Sequence, residues 1–173
     1  MIKKENTKLV HSGSIGEIYQ TTLVAEDGRS EVEEYIIRRD SVMVLPIDNE
    51  KRVILIREYS PAYEEYEWIL PRGGVEEGED LTYSADRELQ EEAGYKAQNL
   101  EKLISARCVS KQFKSETHIF LATDLSESKL EGDEIEPLEI QKFTISEIEK
   151  MIESGEINEI RLIGAFNMIK DRF

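Results

Sequence analysis

The chain of 173 residues has one cysteine, Cys108, and two histidines, His11 and His118. A single thiol excludes an internal disulfide, and so small a supply of sulfur and imidazole ligands argues against a structural zinc site. No apolar run approaches the roughly 20 residues that cross a bilayer as a helix. Met1-Ile2-Lys3-Lys4-Glu5 does not read as a secretory leader, so the expectation is a cytoplasmic protein that binds no membrane. Positive charge is scarce as well: 22 Lys+Arg face 37 Asp+Glu, a formal net charge of −15. That balance repels nucleic acid and anionic lipid, and basic residues gather only in short pairs such as Arg38-Arg39. Internal repeats and low-complexity tracts are missing too. What remains, with 39% hydrophobic and 34% charged residues, is a globular chain of ordinary domain size.

Along the chain, the first dozen residues are polar and are expected to be either mobile or docked on a partner. Loose alternation from Ile15 to Val24 and from Val32 to Arg38, around the turn signal Asp27-Gly28, predicts a hairpin. Val42–Ile47 and Val53–Ile56 read as buried strands joined by the turn Asp48-Asn49-Glu50. An aromatic, acidic stretch from Tyr59 to Trp68 leads to a turn at Pro71-Arg72-Gly73-Gly74. Leu81, Ala85 and Leu89 form one apolar stripe of a helix over Leu81–Ala93 that stops at Gly94. Further strands are expected over Leu100–Val109, His118–Ala122 and Leu138–Phe143. A capping box at Ser146-Glu147-Ile148-Glu149 opens a helix ending at Gly155, and a last helix runs from about Ile160 to Asp171. The pattern predicts an α/β (α+β) fold, a mixed β-sheet sandwiched between helices. An N-terminal β-hairpin extension over residues 1–40 precedes a domain over 41–173.

The acids are not evenly spread. Glu76 to Glu92 holds eight of them (Glu76, Glu77, Glu79, Asp80, Asp86, Glu88, Glu91, Glu92) against one base, Arg87. On a helix Glu88 and Glu92 leave the same face one turn apart, with Glu91 adjacent. Like charges at that spacing are destabilising by a few tenths of a kcal/mol per pair, and no lysine offsets them. A cluster of hard oxygen donors without local counter-charge suits a divalent cation, Mg²⁺ or Mn²⁺. The plainer alternative is an acidic solvent-facing surface.

The order of residues adds to this. Gly73, Glu79, Arg87-Glu88-Leu89, Glu91-Glu92, Gly94 and Tyr95 fit Gly-x5-Glu-x7-Arg-Glu-U-x-Glu-Glu-x-Gly-U, where U is a bulky aliphatic residue. Eight of nine defined positions match over 23 residues, and Tyr95 departs only in being aromatic. This is the box of the Nudix hydrolases, which the chain resembles. Arg57-Glu58-Tyr59, Tyr66-Glu67 and the stretch Leu130–Leu138 are similar to the branch of that family acting on ADP-linked compounds. The resemblance implies a cytoplasmic, Mg²⁺-dependent hydrolase of a nucleoside diphosphate derivative (ADP-ribose, NADH or a diadenosine polyphosphate) that releases AMP. It also implies a homodimer in which the N-terminal hairpin reaches the neighbour's site.

Carried over residue by residue, Glu88, Glu92, Glu136 and the Arg72 carbonyl match metal ligands. Glu91, Glu92 and Glu134 match catalytic carboxylates, with Glu134 the candidate base. Arg87 is implied as a clamp on the box glutamates and Glu79 as an orienting partner. Arg39, Arg57, Tyr59, Glu67 and Gly74 fall at substrate-binding positions, and Glu116 is a further acidic candidate. The residues themselves leave alternatives open. Arg39 and Arg57 can fork to phosphate or pair with Glu34 or Glu58. Tyr59, Tyr63, Tyr66 and Trp68 can stack on adenine or simply pack. Glu134 and Glu136 can serve an active site or a plain acidic loop, and Glu116 can pair with Lys111 or Lys114. Two other functions remain open: a Nudix pyrophosphatase for a nucleotide sugar such as GDP-mannose, and a non-catalytic nucleotide-sensing module.

Overall fold

A computed structural model of the protein describes residues 1–132 and 135–173. In chain order the elements are β1 (Lys3–Gly13), β2 (Gly16–Val24), β3 (Ser30–Ile37), β4 (Ser41–Pro46), β5 (Arg52–Ser60), β6 (Glu65–Ile69) and β7 (Arg72–Gly74). Then come α1 (Leu81–Glu88), a π turn over Leu89–Ala93, β8 (Tyr95–Ala106), β9 (Phe113–Lys114), β10 (Thr117–Glu127), β11 (Glu139–Thr144), α2 (Ile145–Ser154) and α3 (Ile160–Ile169). The chain divides into two compact units, residues 1–40 with 107–117, and residues 41–106 with 118–173.

The first unit is a four-stranded sheet in the order β1-β2-β3-β9. The expected hairpin is its centre, with β2 and β3 antiparallel from Glu17↔Ile37 to Val24↔Ser30. The first dozen residues are not an unstructured lead-in. They form β1, which pairs antiparallel with β2 through two register shifts, and every residue of β1 is exposed. A strand exposed along its whole length buries too little apolar surface to announce itself by hydropathy. Tyr19 and Tyr35 stack at 5.7 Å between centroids across β2 and β3, a cross-strand aromatic pair of the kind that stabilises a sheet.

The second unit holds the helices and both hydrophobic clusters. Its strands form two sheets, β7-β4-β10-β8 and β11-β5-β6. The apolar runs in β4, β5 and β10 are continuous because these strands are buried on both faces. Val42, Val44, Ile54, Ile56, Phe120 and Ala122 point to one cluster, closed by Ala85, Leu89 and Ala93 of α1 and the π turn. Met43, Leu45, Val53, Leu55, Ile119 and Leu121 point to the other, closed by Ile148 and Met151 of α2 and Leu162, Phe166 and Ile169 of α3. The mixed sheet structure is therefore covered by helices on both sides. At the turn between β4 and β5, the Asp48 carboxylate accepts the backbone N–H groups of Glu50 and Arg52 at 2.9 and 3.0 Å and the Arg52 guanidinium at 2.7 Å.

One stretch without an expected element takes a structure, and two local expectations are corrected. The aromatic stretch after Tyr59 is the tip of a hairpin, with β5 and β6 paired from Ile56↔Ile69 to Ser60↔Glu65. The segment expected as a turn at 71–74 is the short strand β7, paired with β4 through Met43↔Arg72 and Val42↔Gly73. The capping box of α2 begins at Thr144, not Ser146. Glu147 N–H donates to Thr144 Oγ1 at 3.3 Å while the Glu147 carboxylate accepts Thr144 N–H at 2.7 Å. Threonine caps as serine does, and residues Thr144 and Glu147 have the same spacing as the expected pair.

Phe166 is 1% exposed and lies among both sheet and helix side chains of the larger cluster. Phe166→Ala is expected to destabilise the protein by about 3–5 kcal/mol, read as a lower urea midpoint at unchanged m-value.

Candidate active site

Asp80 starts α1 by accepting the backbone N–H groups of Thr82 and Tyr83 at 2.9 and 3.2 Å, satisfying two donors that the first turn leaves over. The helix faces the smaller cluster with Ala85 and Leu89, so its next turn carries the polar side of the stripe toward β7. The predicted single helix over Leu81–Ala93 is in fact two forms of helix. From Leu89 the turn widens, and the Gly94 N–H returns to the Leu89 carbonyl, five residues back. Gly94 ends it in the left-handed conformation, φ 73°, which glycine adopts without penalty.

Arg87 is the hub. Its Nε donates to Glu79 Oε1 at 3.0 Å, its Nη1 to Glu88 Oε1 at 2.7 Å and to Glu91 Oε2 at 2.8 Å, and its Nη2 to the Gly74 carbonyl at 3.2 Å. The guanidinium thereby ties both ends of the motif to β7. Glu79 also accepts the Ser84 hydroxyl at 2.7 Å and the Glu76 N–H at 3.0 Å. The Arg87 hydrogen bond is the largest cause holding the Glu79 carboxyl at about 2, far below its ordinary 4.5, against a smaller opposing effect of burial. The same contact raises Arg87 above the ordinary arginine value.

Glu88 and Glu92 are each only 7% exposed. Glu92 Oε2 accepts the Arg72 backbone N–H at 2.7 Å. Gly73 lies so close to the Glu88 carboxyl that a Cβ there would overlap it, which is why glycine stands at that position of the strand. Arg72 turns its guanidinium to Glu58 Oε2 at 3.2 Å. Among the described residues, no three acidic, histidine or cysteine side chains are gathered as a ready-made metal cage; Glu88 and Glu91 are drawn instead to Arg87.

A second group of predicted residues meets on the β5–β6 hairpin. Register places Arg57 opposite Trp68 and Tyr59 opposite Tyr66 on one face. The Arg57 guanidinium sits 5.6 Å from the Tyr66 ring and 5.7 Å from the Trp68 ring. It also pairs with Glu139 at 3.2 Å. Tyr59 and Tyr66 meet edge to face at 5.3 Å, and the Tyr66 hydroxyl donates to Glu136 at 2.7 Å. That bond to a carboxylate raises the Tyr66 hydroxyl above its ordinary value. On the other face Glu67 stands opposite Glu58.

The remaining candidates lie elsewhere. Arg39 and Glu116 belong to the N-terminal unit. Glu116 pairs with Arg107 at 3.1 Å, while Lys111 is taken by Glu33, so the expected lysine pairing of Glu116 is replaced. Glu134 lies outside the described residues. Glu58 and Glu139 were not among the candidates. Glu139 meets Arg57 through strand register and Glu58 meets Arg72 across two sheets, 82 and 14 positions apart, separations that spacing along the chain does not reveal.

Comparison with known proteins gives consistent results. The family described as NUDIX domain matches residues 37–163. The chain is similar to an ADP-ribose pyrophosphatase of Bacillus subtilis (strain 168), at 32% identity over 93% of this chain and 88% of that protein. It is similar to the ADP compounds hydrolase NudE of Escherichia coli (strain K12), at 35% identity over 77% of this chain and 71% of that protein. A solved structure, that of an ADP compounds hydrolase, superposes with a TM-score of 0.90 at 30% identity, covering 98% of this chain and 92% of its own.

Glu79 supplies a pH-dependent part of the stability. Its folded value of about 2 lies below the ordinary 4.5, so between these values the unfolded chain binds the extra proton. The stabilisation is complete above about pH 4.5 and is lost as pH falls toward 2. The melting temperature of Glu79→Gln is expected to lie below that of the parent at pH 6, with the gap closing on acidification through that window.

Proposed function

The chain belongs to the Nudix family, and we propose on that premise that it is a pyrophosphohydrolase that cleaves the diphosphate linkage of ADP-linked compounds, with AMP as one product. The observation that carries the reading is the convergence of Glu79, Glu88 and Glu91 on the single guanidinium of Arg87, beside the buried Glu92 on the Arg72 N–H. Buried carboxylates in such excess over base favour cations. Carboxylate oxygens and the peptide groups of residues 72–74 are the donor chemistry that hard divalent ions take, and Mg²⁺ is the ion proposed.

Glu88, Glu92, Glu136 and the carbonyl of Arg72 are the proposed ligands. When bound, the ion supplies Lewis-acid polarisation of the diphosphate and neutralises its charge. The chain's own residues do the rest. Arg87 fixes Glu88 and Glu91 in place and thereby sets where the carboxylates stand before substrate arrives. Gly73 lets the Glu88 carboxyl press against the strand, and Gly74, with open space where a side chain would be, leaves room for a phosphate oxygen. Arg57, already charged and flanked by aromatic rings, faces the anionic substrate, and the exposed rings of Tyr59 and Tyr66 offer a surface on which adenine stacks. Arg39, Glu67, Glu91, Glu116 and Glu134 complete the proposed set, with Glu134 or Glu91 accepting the proton of the attacking water.

The functional form is proposed to be a cytoplasmic homodimer built through the N-terminal unit. Its β1 is an edge strand exposed along eleven residues, and such an edge is a template for pairing with another chain. Light scattering at assay concentration is expected to give twice the chain mass; a single-chain mass overturns the dimer.

The decisive experiment follows AMP release with Mg²⁺ from ADP-ribose, NADH and a diadenosine polyphosphate, with GDP-mannose alongside. Glu92→Gln should lower kcat at least about 100-fold, on the order of 3 kcal/mol, while the fold is retained by circular dichroism. Turnover of GDP-mannose alone, or full activity in Glu92→Gln, overturns the reading.

A further inference from the structure

The π turn that carries Glu91 and Glu92 is not held by its own helix alone. Widening the turn moves the Gly94 N–H back to the Leu89 carbonyl, and neighbouring carbonyls turn outward, where another segment must satisfy them. Residues 128–130, which follow β10, do so. The Ser128 N–H donates to the Gly94 carbonyl at 2.9 Å and the Leu130 N–H to the Gln90 carbonyl at 3.3 Å. The Lys129 ammonium donates to the Glu91 carbonyl.

Gln90 joins the two segments from the side of the turn. Gln90 is 8% exposed. Its Nε2 donates to the Asp86 carboxylate at 3.0 Å and to the Asp86 carbonyl at 3.2 Å, and its Oε1 accepts the Ser128 hydroxyl at 2.8 Å. The amide thus uses both ends, one on α1 and one on the incoming segment.

The geometry points to Gln90 and Ser128 as positioning residues. Their hydrogen bond latches residues 128–130 onto the widened turn and fixes the register at which Glu91 meets Arg87 and Glu92 meets the Arg72 N–H. Were the turn to relax to an ordinary helix, one residue of register is lost and the side chains beyond it rotate by about 100°. Glu88 precedes the π turn and stays where it is, while Glu92, inside the turn, would shift relative to β7 and the Arg72 N–H it now accepts. The role of the latch in hydrolysis rests on the function proposed above, but the latch itself is independent of substrate.

The test compares Ser128→Ala with Ser128→Thr, which keeps the hydroxyl. Mn²⁺ is titrated directly by electron paramagnetic resonance without substrate, and exchange of the Ser128 and Leu130 amides is followed in the same proteins. Partners that orient a metal ligand are worth about 10–100-fold in affinity when removed. Ser128→Ala should therefore bind Mn²⁺ about tenfold more weakly, with kcat reduced in step and KM within twofold, and its Leu130 amide should exchange faster. Ser128→Thr should restore all three. Adding Ser128→Ala to Gln90→Ala should weaken Mn²⁺ binding no further, because one bond is already broken. Unchanged affinity in Ser128→Ala, no restoration by threonine, or additive losses overturn the latch. If the unaltered protein releases no nucleoside monophosphate, the proposed reaction fails, and exchange at the Leu130 amide still decides the latch.

Discussion

The Arg87 guanidinium is bound at once by Glu79, Glu88, Glu91 and the Gly74 carbonyl, and it ties α1 and the π turn to β7. Three carboxylates brought this close repel one another unless a cation stands between them. A lysine ammonium has three donors and no fixed plane, whereas guanidinium presents five in a rigid fork, and here the fork reaches three side chains and one peptide group. The attraction also runs in reverse. The carboxylates make Arg87 still harder to deprotonate, so the hub is charged at every pH at which the protein is folded. One positive charge among three negative ones leaves the group anionic, a state that attracts cations rather than anions.

The hub works because of what carries it. α1 lies over the cluster containing Val42, Val44, Ile54 and Ile56, and β7 is paired to β4 directly beside the same residues. Glu88 and Gly73 therefore approach from two elements that share one apolar support, and their close fit is fixed by packing rather than by loops. Rigid placement of charged groups on packed elements is what precise chemistry asks of a scaffold.

Much of this was legible in the sequence, for reasons that differ from residue to residue. The stripe Leu81, Ala85, Leu89 and the uninterrupted apolar runs of β4 and β5 report burial directly, so the helix and the doubly covered strands followed from periodicity. The spacing from Gly73 to Tyr95 carried the family. The π turn was hidden because Gln90, Glu91 and Glu92 have no composition that distinguishes a wide turn from an ordinary one; the Ser128 hydroxyl that Gln90 accepts lies 38 positions away. β1 was hidden because an exposed strand has no apolar face to betray it. The expected partners of Arg57 and Glu116 were near neighbours, whereas folding brings Arg57 to Glu139 by strand register and Glu116 to Arg107. The cap of α2 was displaced by two residues because two serine-or-threonine residues, Thr144 and Ser146, each precede a glutamate by three.

The burial of β5 on both faces carries a further consequence. In a strand with one wet side, sliding by a single position throws charged groups into the interior, and that penalty keeps the pairing correct. Val53, Ile54, Leu55 and Ile56 are apolar without exception, so a slipped alignment of this stretch would look nearly as good to the solvent as the native one. The information that prevents slippage must then sit at the strand's ends, in the Asp48 carboxylate that gathers Glu50 and Arg52 at one end and in Arg57, held by Glu139, at the other. Polar residues at the margins act as the alignment marks for an interior that has none of its own.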